Sequence, residues 1–332
     1  FRQAKFRFGW ADYRHDEIDA DGSIGTSFLN KGLEARLELV QDRRGSWEGA
    51  SGGQYLARDF DALGAEAYIP RNHTEQAGLF TLQQFDFGPL RAEVGGRFEH
   101  SSITAPVVAF ARSFDAVSVS GGVSAPLAPG LRIAVNVAHS ERAPSAEELL
   151  SNGAHVATRS FEVGSRALGL EKSLGAEATF RGRGPGWHFE LSGFYTRFSD
   201  FIWFGRTGAE QDGLPVYVAG QRDARFRGVE AEAALDVARI GGTRIGLTAL
   251  SDYVRADLAD GGGPVPRIPP MRFIGGIEAK AERISGRFEV EHALRQDRTA
   301  AFERKPPAYT LVNLSLGWHP PSLDRHSSVE LS

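Results

Sequence analysis

The chain has 332 residues, 41% of them hydrophobic, with a formal net charge of -4, nine histidines and no cysteine. The lack of cysteine excludes disulfides and thiolate metal sites and suits an oxidising compartment, and the slightly negative balance argues against a nucleic-acid partner. A mean hydropathy of -0.28 and the want of any long apolar run exclude a helical membrane protein, but not one that crosses a bilayer with strands, because half of each such strand is polar.

Taken in order, Phe6, Phe8 and Trp10 alternate with Lys5, Arg7 and Gly9, which gives a first strand one apolar and one polar face. The same parity puts Tyr13, His15 and Glu17 on the polar face, ahead of a turn at 19–22. That turn begins like a calcium loop, but Glu17 replaces the usual first Asp and Phe28 stands where the closing carboxylate belongs, so it reads as an acidic hairpin tip. A return strand at 33–40 alternates Leu33, Ala35, Leu37 and Leu39 with Glu34, Arg36 and Glu38. A third strand is expected through 55–60, and others at 74–87 and 90–98.

Connection lengths then alternate. Those at 61–73, 99–113, 141–167, 205–221, 257–269 and 296–307 are long, whereas those at 41–46, 88–89, 125–130, 181–186, 238–242, 281–286 and 320–325 are short. Brief turns on one side and longer loops on the other, joining one-sided strands, are the pattern of an outer-membrane barrel. Late strands keep the alternation, with Phe288, Val290, His292 and Leu294 against Glu289, Glu291 and Ala293. The count is about 15 strands, and an odd number does not close a bacterial barrel, so strands are expected to be missing. The 39 glycines and 22 phenylalanines suit tight turns and aromatic girdles. A β-propeller is the alternative architecture, against which stands the irregular repeat spacing.

The segment from Leu131 to Phe180 is the most informative. Leu131, Ile133, Val135 and Val137 alternate with Arg132, Ala134, Asn136 and Ala138; Pro144 then ends the strand, and Ser145 with Glu148 forms a capping box for a short helix inside a long polar loop. In the same segment stand Ser140, Arg142 to Ser145, Glu148 and Leu149, followed by Leu168, Glu171 and Ser173. In order and spacing this resembles the barrel of bacterial TonB-dependent outer-membrane receptors. The wording of residues 152–158 and 161–164 resembles receptors grouped with zinc uptake.

The resemblance implies an all-β, antiparallel transmembrane β-barrel that is partial, with about 15 strands of a roughly 22-stranded barrel. On that reading residues 1–332 are one barrel domain, and the plug domain and terminal strands lie outside them. It further implies a transporter of the bacterial outer membrane that is not an enzyme and needs no cofactor. Its partners would be outer-membrane lipid, the TonB energy-coupling complex through a missing N-terminal region, and zinc or an iron chelate as substrate. A passive porin-like barrel is the competing function; a soluble β-propeller, enzyme or carbohydrate binder is a third. No phosphate loop and no His-Glu-x-x-His motif occur, and residues 313–317 lack the first glycine of a nucleophile elbow.

His15 and Glu17 project from one strand face, and imidazole and carboxylate both suit zinc. With His155, in the loop that resembles zinc-uptake receptors, they form the expected metal-binding set. Tyr13, Arg142 and Glu148 are the expected ligand-binding residues, with a salt bridge among Arg142, Glu148 and Glu171 in the barrel wall as their other role. His73 and His100 fall near long loops, and His188, His319 and His326 near short turns. His139 and His292 share parity with apolar neighbours and read as girdle residues.

Overall fold

A computed structural model describes residues 1–18, 21–64, 67–155 and 158–318, together with the backbone of 329–331. The first seven strands are β1 (Gln3–Ile18), β2 (Ile24–Val40), β3 (Trp47–Gly64), β4 (Asn72–Phe87), β5 (Leu90–Ala105), β6 (Phe110–Ala128) and β7 (Leu131–Arg142). A five-residue helix, α1 (Ala146–Leu150), and two short strands, β8 (Asn152–His155) and β9 (Ser160–Val163), follow. The long strands resume with β10 (Glu171–Gly184), β11 (Trp187–Gln211), β12 (Leu214–Ile240) and β13 (Thr243–Leu258). The remainder are β14 (Gly263–Pro264), β15 (Arg272–Lys280), β16 (Ile284–Ala293), β17 (Tyr309–Trp318) and β18 (Val329–Leu331). β1 to β5 pair antiparallel in succession, as do β13, β15, β16, β17 and β18, and β9 makes a short parallel contact with β12.

The chain divides into two units. The first comprises Phe1–Val123, Asn136–Gly175 and Arg197–Ala224, and the second Ser124–Val135, Ala176–Thr196 and Arg225–Ser332.

In the first unit, β1 to β5 pair as successive hairpins, and the register places like with like. Phe6 faces Leu37, Leu37 faces Gly53, Gly53 faces Leu79 and Leu79 faces Phe98, one apolar row across five strands. Phe6 and Leu79 are about two-thirds exposed, so this row lies open on one face of the sheet. On the other face are polar ladders: Lys5 to Glu38 at 3.0 Å, and Gln54 to Glu34 at 2.7 Å. Because side chains alternate with period two, a slip of one residue would exchange the two faces, and the pattern therefore fixes the register. The second unit repeats the arrangement, with Leu247, Ile277, Phe288 and Leu314 in one row over β13, β15, β16 and β17.

Two expected long loops are instead strand. Residues 99–113 continue β5 and β6 to a single 3-10 turn at Pro106–Val108, because Ser101, Ile103, Ala105, Phe110 and Phe114 alternate inward and are buried. Residues 205–221 form the tip of a long hairpin between β11 and β12, turned by Asp212 and Gly213 with φ of 53° and 74°. Successive positive φ values are those of a type I′ hairpin turn, for which Asp-Gly is well suited. The expected connection at 320–325, with His319 and His326, lies outside the described residues.

Where inward side chains of the first unit meet its loops, they form a core. Phe28, Phe60, Tyr68, Ile69, Ile103 and Leu149 are among its members. The long loop after β7 is anchored there by α1, whose Leu149 is 1% exposed.

Candidate ligand-capture site

The predicted capping box is present: Ser145 N donates to Glu148 Oε2 at 2.8 Å, and Glu148 N donates to Ser145 Oγ at 3.2 Å. The same Glu148 carboxylate accepts from both terminal nitrogens of Arg142, at 2.9 and 3.2 Å. The guanidinium reaches further, to Glu171, with two contacts of 3.2 Å, and Glu171 Oε2 also accepts from Ile202 N at 2.8 Å. Arg142 thus clamps the start of α1 to the first residue of β10 through two bidentate pairs, and its fork geometry is what makes this possible. The structure places the expected ligand-binding pair Arg142 and Glu148 in this clamp: Arg142 donates to Glu148, Glu171 and Ala143 O, and Glu148 accepts from Arg142 and Ser145 N.

Beyond α1 the loop forms the β8–β9 hairpin. Gly164 allows it to close: a Cβ at that position would lie 2.7 Å from Leu150 N and 2.8 Å from Leu149 C, closer than any side chain tolerates. Asn152 N donates to Tyr68 O at 2.7 Å, which ties the hairpin to the loop between β3 and β4. His155 is thereby laid flat on the Tyr68 ring, with centroids 4.3 Å apart and planes 10° from parallel.

His15 lies at the other end of the same stack. Its cross-strand neighbour is Phe28, and the rings stack at 4.8 Å, with Tyr13 at 5.4 Å on the other side. Phe28 meets Tyr68 edge-on at 6.4 Å. Tyr13, His15, Phe28, Tyr68 and His155 therefore form one aromatic column. The column brings both predicted histidines into one assembly, but Phe28 and Tyr68 stand between them. Among the described residues no group of three or more His, Asp or Glu side chains is placed to hold a metal ion.

Electrostatically the column is negative. Burial pushes the Tyr68 hydroxyl up to about 12, and the charges of Glu162, Glu147 and Glu17 reinforce it against Arg58. The immediate partner of His155 is Glu162, 3.2 Å from Nδ1 and also bound by Ser160 Oγ at 2.9 Å and Thr158 Oγ1 at 3.2 Å. Burial raises the Glu162 carboxyl, but the His155, Ser160 and Thr158 hydrogen bonds outweigh it and hold the group below the usual carboxylate range. Sequence reasoning missed Tyr68 and Glu162. The second was signalled by alternation, since Ser160 and Glu162 share a strand face opposite His155.

His139 contacts Glu141 at 3.4 Å and His292 contacts Thr310 at 2.9 Å, both on the outward parity expected of girdle positions. His73 and His100 pair with Asp59 and Asp115 at 2.9 and 2.7 Å.

The family model described as TonB dependent receptor-like, beta-barrel, matches residues 2–331. The chain belongs to this family. Among solved structures the receptor is similar to the copper transporter OprC, with 17% identity and a TM-score of 0.80 over 98% of this chain and 55% of that one. It is also similar to the FrpB iron transporter of Neisseria meningitidis, with 9% identity and a TM-score of 0.72 over 96% and 54% of the two chains. A third is the ferric citrate transporter FecA, with 16% identity and a TM-score of 0.67 over 96% and 52%. The chain spans about half the length of these structures. At such identities the likeness concerns the fold: an antiparallel β-barrel architecture, which agrees with the fold class and the family expected from residues 131–180.

Proposed function

We propose that the receptor is an energised outer-membrane importer of a metal ion or metal chelate, coupled to TonB through a region beyond this chain, and that the aromatic column is where the substrate is first captured. The observation that carries this reading is the column itself: His15 stacked on Phe28, His155 stacked on Tyr68, the two pairs joined edge-on, and the Glu162 carboxylate 3.2 Å from His155. The rows of exposed apolar side chains, for which water is a poor neighbour, support placement in a bilayer. Relatives in structure that carry copper, iron or ferric citrate support a metal-bearing substrate. Zinc is the narrower reading, with His15, Glu17 and His155 as its donors. The separation of the two histidines by Phe28 and Tyr68 favours a chelate, which brings its metal already coordinated.

Import is tested with cells making the full-length receptor, supplied in turn with labelled zinc and labelled ferric chelates, with and without a protonophore. Accumulation of one of them that stops when the membrane is de-energised is the expected result. Accumulation that continues unchanged is the behaviour of a passive pore and would replace this reading with the porin-like one.

The loop after β7 is proposed to face the outside of the cell. The chain has no cysteine, so Asn152→Cys, at an exposed position, introduces a unique label site in it. A membrane-impermeant maleimide is expected to modify it in intact cells; modification only after the outer membrane is opened would reverse the assigned sides.

A further inference from the structure

The outward face of the second unit carries a knot of arginines that substrate capture does not use. Tyr253, Arg255 and Asp257 occupy alternate positions of β13, on the same face as Leu247. Two guanidinium groups share the Asp257 carboxylate: Arg255 Nε donates to Oδ2 at 3.1 Å, and Arg298 Nη2 donates to Oδ1. One carboxylate neutralises only one of them. Arg227 on β12 is exposed and, among the described residues, has no ion-pair partner. Burial first, and then repulsion from Arg255 and Arg227, hold the Arg298 guanidinium below its ordinary value. Since guanidinium remains charged at any physiological pH, three guanidinium groups with one carboxylate among them leave positive charge in excess of its counter-charge.

Next to the knot is a groove of about 500 Å³ lined by Val135, Tyr195, Arg227, Val229 and Tyr253. Ala176, Ala178 and Gly193 also line it, and their small size leaves room between the larger side chains. Its walls are apolar side chains that lie 41–50% exposed, and its arginine end is cationic. The height of the site is set by the strand. Arg255 stands near the end of β13 remote from the turn at Gly241 and Gly242; about 3.3 Å per residue on a strand tilted by about 40° raises it roughly 30 Å along the membrane normal. An apolar band is about 25 Å tall, so the arginines stand just above it and the groove runs down into it.

We propose that this is a binding site for an anionic lipid of the outer leaflet, its phosphate held by Arg227, Arg255 and Arg298 and one acyl chain lying in the groove. The inference rests on the outer-membrane reading. Charge complementarity selects phosphate, which the guanidinium fork engages with two parallel hydrogen bonds, and the continuity of the groove with the apolar rows selects a lipid over a soluble anion.

The test uses full-length receptor stripped of lipid in detergent and examined by native mass spectrometry with three probes: bisphosphorylated lipid A, the same lipid dephosphorylated, and inorganic phosphate. Arg227→Gln with Arg298→Gln removes charge while leaving the Arg255 to Asp257 pair. Gly193→Leu fills the groove at a position whose added Cβ meets only Gly228 O at 3.9 Å. The phosphorylated lipid is expected to be retained at least tenfold better than its dephosphorylated form, and each variant is expected to lose at least tenfold in that retention. Equal retention of the two lipids, or retention by the arginine variant equal to the parent's, would overturn the site. Displacement of the lipid by equimolar inorganic phosphate would overturn the part assigned to the groove. A receptor that does not fractionate with the outer membrane defeats both the transport reading and this one; a receptor that resides there and imports, yet shows no preference for phosphate, defeats only the lipid site.

Discussion

Leu79→Arg will destabilise the barrel in a bilayer by about 2–4 kcal/mol, the range for a cation placed near the midplane on a lipid-facing strand. Leu79 is 68% exposed and lies in the apolar row with Phe6, Leu37 and Phe98. In a water-soluble β protein a substitution at so open a position would change stability by no more than about 0.5 kcal/mol. The two readings thus differ by a factor of at least four for one variant. The measurement is reversible unfolding of the full-length receptor in lipid vesicles with increasing denaturant, with Leu79→Phe as the control that keeps the side chain apolar. A shift of the midpoint for arginine alone is the expected outcome; an unshifted midpoint would mean that the row does not face lipid.

Arg142→Ala is expected to release the loop between β7 and β10. The variant would leave the Glu171 carboxylate, 9% exposed, with Ile202 N as its one close donor among the described residues, and would free the Glu148 cap from β7. Breaking a fully buried pair costs about 3–5 kcal/mol, and partial exposure of the arginine reduces that to roughly 2–3 kcal/mol. Cleavage of the loop by a protease added outside the cell is expected to accelerate more than tenfold. Arg142→Lys should recover only a part of the protection, since a single ammonium cannot serve two carboxylates in bidentate fashion. Cleavage at the parent's rate in Arg142→Ala would show that α1 is held without the clamp.

Much of this architecture was legible because a strand's period of two is a simple code. Phe6, Phe8 and Trp10 give the outward face of β1 directly, and the same parity carried His15 to the inward face, where it stacks on Phe28. The capping box at Ser145 and Glu148 was legible because it is local, confined to four residues. The hairpin at Asp212 and Gly213 was not recognised, since polar residues at 205–221 resemble loop composition while their backbone pairs as strand. The column was harder still. That Tyr68 lies between Phe28 and His155 depends on contacts among residues far apart in the chain, and neither parity nor motif specifies which loop folds inward onto which strand. Glu162 was overlooked for a related reason: within the Phe161 to Gly164 wording it read as part of a family likeness, whereas its role comes from the β8–β9 hairpin that sets it against His155.

Capture of the substrate is proposed to lie in the aromatic column. The most direct measurement is equilibrium binding of the substrate identified by uptake to cells displaying equal amounts of full-length parent or of the His15→Ala, His155→Ala, Glu162→Gln variant. The combined variant, still exposed to label at Asn152→Cys and hence correctly placed, is expected to bind at least tenfold more weakly. Binding indistinguishable from the parent's at equal surface amount would contradict it and leave the column as packing for the loops.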